Sequence, residues 1–198
     1  MQPLYVAEDK DLQVALKIYH DEGAENPRNW DNLGRMVCWY RRYNLGDPHD
    51  FRSPEDFREY VKEVGEQNLI MLPLYLLDHS IVTISTRPFN DPWDSGQVGW
   101  IYVTKDDVRR EYGVERVTGD VLKRVHAVLE SEVEIYNLYL RGEVYGFELE
   151  KLSRCDCCHR DKTEHLDSCW GFYGSDFKVN GMAEHIPKEY RHLLEQCQ

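Results

Sequence analysis

A chain of 198 residues can bury roughly 70% of the surface that its unfolded form exposes, which suits one domain, residues 1–198, folding without disulfide staples. A hydrophobic share of 41%, with 13 Tyr and 5 Trp, argues against disorder, and a mean hydropathy of −0.65 describes a strongly polar surface. The 36 acidic residues outweigh 24 basic ones for a formal net charge of −12, a field that repels nucleic-acid phosphates and favours a protein partner with a basic surface.

In chain order, Leu12, Val14, Leu16 and Ile18 alternate as a strand with one buried face does. A turn-rich stretch from Asp21 to Asn32 leads to a second β-like run, Met36 to Tyr43. Ser53-Pro54-Glu55-Asp56 opens a helix, with Ser53 as N-cap, Pro54 at the first position and acidic side chains at the positive end of the dipole. Its apolar face is Phe57, Tyr60, Val61 and Val64, and Gly65 ends it. Leu69 to Leu77 is almost continuously apolar, broken by Pro73, and a hairpin turn at Asp78-His79-Ser80 leads to a strand from Ile81 to Thr86.

The loop Arg87–Gly96 returns to a strand over Gln97–Val103, and Thr104 caps a short helix. Thr118 caps the longest element, whose Val121, Leu122, Val125, Val128, Leu129, Glu132, Tyr136 and Leu140 follow helical spacing up to Gly142. Val144–Leu149 reads as another strand, and Pro187 begins a short amphipathic helix. Strands and helices do not alternate regularly, so the pattern predicts an α+β fold: an antiparallel or mixed sheet packed against one long helix, with a Cys/His-rich C-terminal loop over 151–182. Met1–Lys10 resembles neither a leader nor an anchor, and no 18-residue apolar run offers a membrane span, which predicts a cytoplasmic protein.

Five of six cysteines follow residue 150, and three fall within four positions, unlike a disulfide framework. Cys155 and Cys158 have the spacing that lets two thiolates grip one tetrahedral Zn2+ across a tight turn. With Cys169 as third ligand and His165 or His159 as fourth they predict a structural zinc site knitting the C-terminal loop. Free thiols are the competing expectation. Asp78, His79, Asp91 and Asp94 would hold a divalent cation for a metal-dependent hydrolase or nuclease if the 87–96 loop folds back over the hairpin; otherwise they are turn formers.

Glu130, Glu132, Glu134, Glu143, Glu148 and Glu150 form either a solvated face or an array imitating DNA phosphates. Basic residues gather at Arg35, Arg41 and Arg42 and at Arg109, Arg110, Arg116, Lys123 and Arg124, the basis for a third alternative, a zinc-stabilised nucleic-acid-binding module.

Asp167-Ser168-Cys169-Trp170-Gly171-Phe172 resembles the nucleophile segment of papain-type cysteine proteases, with His185 as a potential base, but too few residues follow Cys169 for the rest of that fold. Leu74–Ser80, Pro92–Val103 (PWDSGQVGWIYV) and Asp167–Gly174 (DSCWGFYG) are similar to segments of a family of uncharacterised proteins encoded by bacteriophages and mobile elements, over most of Asn32–Met182. That resemblance implies a phage context and carries no site residues. Together with the charge and the missing catalytic motif, it predicts a non-enzymatic acidic binding protein that inhibits a host nucleic-acid or defence enzyme.

Overall fold

A computed structural model describes residues 2–155, 157–158 and 160–197. The fold is α+β, and where one sheet is predicted there are two, each antiparallel and four-stranded. The chain groups into two compact units, one formed by Met1–Glu25 with Gly142–Gln198, the other by Asn26–Arg141.

In the first unit, β1 (Tyr5–Asp9), β2 (Val14–His20), β7 (Val144–Arg154) and β8 (Asp161–Tyr173) follow one another in that order across the sheet. Val14, Leu16 and Ile18 are buried on one face as predicted, but Ala15 and Tyr19 on the other face are buried too, and Leu12 stays 47% exposed in the turn before β2. Val14, Leu16 and Ile18 share their face with Ala7, Tyr145, Phe147 and Leu149, and the C-terminal segment covers them with Met182, Ile186, Leu193 and Leu194. The tail after Pro187 is a short helix as expected, of 3-10 type over Lys188–Gln196. Its apolar pair Leu193 and Leu194 is fully buried.

The segment 151–182, expected as a Cys/His-rich loop, is largely β-structure. β7 runs to Arg154 and β8 answers it from Asp161 to Tyr173 in one long hairpin. The first six residues of β8, Asp161 to Leu166, are all exposed, so no inward-facing apolar set marks them. Ladder bonds to β7 make them a strand, and such bonds are formed by the backbone whatever the side chains are.

Two bulges bend β8: Leu166 is the extra residue between the pairs Leu149–Asp167 and Glu150–His165, and Gly171 between Tyr145–Phe172 and Gly146–Trp170. Gly171 has φ +88°, a conformation side chains resist. Across the sheet Trp170 lies directly on Gly146, where a Cβ would come within 2.1 Å of its ring.

The second unit holds β3 (Arg35–Cys38), β4 (Leu69–His79), β5 (Ile81–Ser85) and β6 (Ser95–Thr104) in the order β3-β6-β4-β5. The hairpin predicted near residues 78–80 is tighter than expected, because Asp78 and His79 belong to β4 and Ser80 alone, at φ 60°, makes the turn. Pro73 pairs with Trp100 of β6 but lies beyond β5, whose pairing starts at Tyr75, so its missing N–H breaks no bond to that strand.

α3 (Gly119–Leu140) buries Val121, Val125, Leu129, Val133 and Tyr136 in a cluster with Met36, Leu74, Leu76, Ile84 and Ile101. Asn137 Oδ1 also accepts the Ile84 N–H at 3.0 Å, satisfying an edge donor of β5. α1 (Pro54–Val64), capped by Ser53 as predicted, packs Phe57 in a separate aromatic cluster with Trp39, Phe51, Tyr60, Trp100 and Tyr102. α2 (Lys105–Tyr112) starts at the Thr104 cap and ends at Gly113 in the left-handed region. In the first unit α4 is the short helix Met182–His185.

Arg28, 3% exposed at its side chain, forks onto Asp47 through two bonds of 2.8 Å and reaches Glu132 at 3.1 Å. Glu132 accepts the Leu33 N–H, and Asp47 accepts the Met36 N–H. The network ties α3 to the segment that enters β3.

Candidate metal centre

The β7–β8 ladder closes at Arg154–Asp161, and beyond it the Cys155 N–H donates to the Arg160 carbonyl at 2.9 Å. The Ser153 hydroxyl donates to the Lys162 carbonyl at 3.1 Å and fastens the same end. The described residues beyond the ladder, Cys155, Cys157, Cys158 and Arg160, therefore lie at the end of this ribbon. The sulfurs of Cys155, Cys157 and Cys158 all lie within 4.8 Å of one another, and those of Cys155 and Cys157 are 3.0 Å apart. Cys157 and Cys158 are exposed and Cys155 half-exposed.

The contact with the Cys157 sulfur, followed by the backbone N–H groups of Cys158 and Cys157, holds the Cys155 thiol down at about 6. Cys157 is pushed above the ordinary thiol value by its contacts with the Cys155 and Cys158 sulfurs. Three sulfurs together are a donor set for a thiophilic cation, and among the described residues no other group of three or more Cys, His, Asp or Glu side chains converges in this way.

The expected ligands divide. Cys155 and Cys158 lie together, and Cys157, which the predicted ligand set left out, joins them. His159 lies outside the described residues. His165 and Cys169 are on β8 opposite Glu150 and Phe147. At about 3.3 Å per residue those positions are roughly 16 Å and 26 Å along the ribbon from Cys155, too far to share an ion with it. Because the segment is strand and not loop, it cannot fold back to deliver them.

Cys169 instead has the Nδ1 of His185 at 3.8 Å from its sulfur, with the His185 ring edge-on to Phe172. The bulge at Gly171 turns both Cys169 and Phe172 toward the first unit's core cluster. The Cys-Trp pair sits in a strand and opens no helix, unlike the protease segment it resembles.

The 87–96 loop does reach the second candidate group, with the Asp78 N–H donating to the Asp94 carbonyl at 2.9 Å, but among the described residues no three of its ligand atoms converge on one point. Asp78 accepts from the Tyr40 hydroxyl at 2.6 Å and from Arg42 at 2.8 Å, which hold its carboxyl below the usual range. His79, the next residue on the strand, bonds Asp94 through Nδ1 at 2.8 Å and is raised above its ordinary value by that contact. Asp91 accepts the Asp94 and Trp93 N–H groups as a turn former does, and these lower its pKa. The glutamate array is likewise dispersed: Glu132 is held by Arg28, Glu150 pairs with Lys17 at 2.6 Å, and Glu148 accepts from Tyr19, whose pKa is pushed up to about 12 by burial and that bond.

The chain matches no family model, no curated protein and no solved structure. No described helix is long and apolar enough to cross a membrane.

Proposed function

We propose that the protein binds a divalent thiophilic cation, Zn2+ in the first instance, through Cys155, Cys157 and Cys158, and that it works as a non-enzymatic binding protein of bacteriophage type. The observation that carries the metal is the convergence of three sulfurs on one short turn. Zinc accepts thiolates at about 2.3 Å in a tetrahedral set, and three of its four positions would be sulfur. Bound there, it would fasten the open end of the β7–β8 ribbon, where ladder bonds stop.

Partner binding is supported by Trp93, 91% exposed on a loop stapled by the Asp91 turn and the His79–Asp94 bond. An indole in solvent on a fixed loop is a ready interface anchor, and Asp91 and Asp94 beside it suit a partner with a basic surface, such as a host nucleic-acid or defence enzyme. The hydrolase alternative has less support, because Asp78 and His79 are committed to different partners.

Elemental analysis of protein purified without added metal tests the site. About one zinc per chain is expected, lost in Cys155→Ser, Cys157→Ser and Cys158→Ser and kept in His165→Gln and Cys169→Ser. Loss of metal in the last two variants, or none in the wild type, would overturn it.

A further inference from the structure

We infer that the three thiols at the β7–β8 turn form a receptor for trivalent arsenic, taken up as arsenous acid, and for thiophilic ions that accept three ligands. This rests on the proposal that Cys155, Cys157 and Cys158 act as one donor set. Among the described residues no fourth side chain joins the three sulfurs. As(III) carries a lone pair where a fourth ligand would be and is complete with the three sulfurs that converge here. The spacing points the same way. Tetrahedral Zn2+ with bonds of about 2.3 Å keeps its sulfurs about 3.8 Å apart. The narrower S–As–S angles of a trigonal pyramid draw them closer, and one of the three pairs, Cys155 and Cys157, already stands at 3.0 Å with all three within 4.8 Å.

Access is unobstructed, since Cys157 and Cys158 are exposed at the end of the ribbon. Soft thiolates prefer soft acceptors, which sets arsenic and similar ions above hard oxygen-seeking cations.

The reaction balances without an oxidant. Each thiol displaces one hydroxyl of As(OH)3, so three As–S bonds form and three As–O bonds break. The three thiol protons leave with the hydroxyls as three waters, and arsenic stays trivalent throughout.

Full-length reduced protein titrated with sodium arsenite, and separately with Zn2+, is read by native mass spectrometry and by sulfur-to-arsenic charge-transfer absorbance. The expected result is one arsenic per chain with the loss of three hydrogens, abolished in Cys155→Ser, Cys157→Ser and Cys158→Ser and retained in Cys169→Ser. Circular dichroism of each variant verifies that its fold is kept. Zinc binding without arsenic, or arsenic held by two sulfurs with a hydroxyl retained, would overturn the inference and leave the metal site standing. Binding of neither ion would overturn both.

Discussion

At the scale of single residues, what each polar group does depends on the partner it finds in space. His79 and Asp94 are fifteen residues apart in sequence and bond at 2.8 Å, with Asp91 adding a weaker attraction. A partner that favours the imidazolium raises the histidine's pKa above its ordinary 6.5. The stability this pair contributes is therefore complete below that ordinary value and is lost as pH rises through the raised one. An NMR titration is expected to find His79 titrating above 6.5 in the wild type and shifting downward in Asp94→Asn. An unchanged titration would mean that the bond does not persist in solution. Adjacency in sequence had drawn Asp78 and His79 into one candidate metal group. Successive side chains of a strand point to opposite faces, and each found a separate partner.

At the scale of elements, capping chemistry was legible and sheet edges were not. Ser53, Thr104 and Thr118 cap α1, α2 and α3 as their positions predict, because a cap is a local bond between a side chain and an amide three residues on. β8 escaped notice because its partner, not its pattern, makes it a strand. The Arg28 network ties elements of the second unit, joining Asp47 and Glu132 around a guanidinium that burial alone would disfavour. Arg28→Ala leaves two carboxylates facing each other, both largely buried. Urea denaturation is expected to register a loss of about 3–5 kcal/mol, as for other broken buried pairs. A loss within 1 kcal/mol would mean that water replaces the guanidinium at little cost.

At the scale of the whole molecule, the two units differ in how they use the chain. Residues 26–141 are continuous and contain both the α3 cluster and the aromatic cluster around Phe57. The other unit is assembled from both ends, with β2 paired to β7 across more than a hundred intervening residues. The fragment 26–141 expressed alone is expected to melt cooperatively, since its cores and the Arg28 network are internal to it. Residues 1–25 alone are expected to be unfolded, because β2 then lacks β7. A fragment 26–141 without a cooperative melt by circular dichroism would contradict the autonomy of that core.

The sequence by itself determined what is set by neighbours a few residues apart: the three capped helices, one buried face of β2, the apolar run of β4, and the crowding of Cys155, Cys157 and Cys158 on one turn. Those features follow from side chains and amides within one turn or one short strand. Only the tertiary structure decided that there are two sheets, that β8 is a strand, that His165 and Cys169 are carried away from the thiol turn, and that Glu132, Glu148 and Glu150 are bound to separate partners. Each of these depends on pairing between distant segments, where register fixes which side chains meet and the intervening sequence leaves no mark of it.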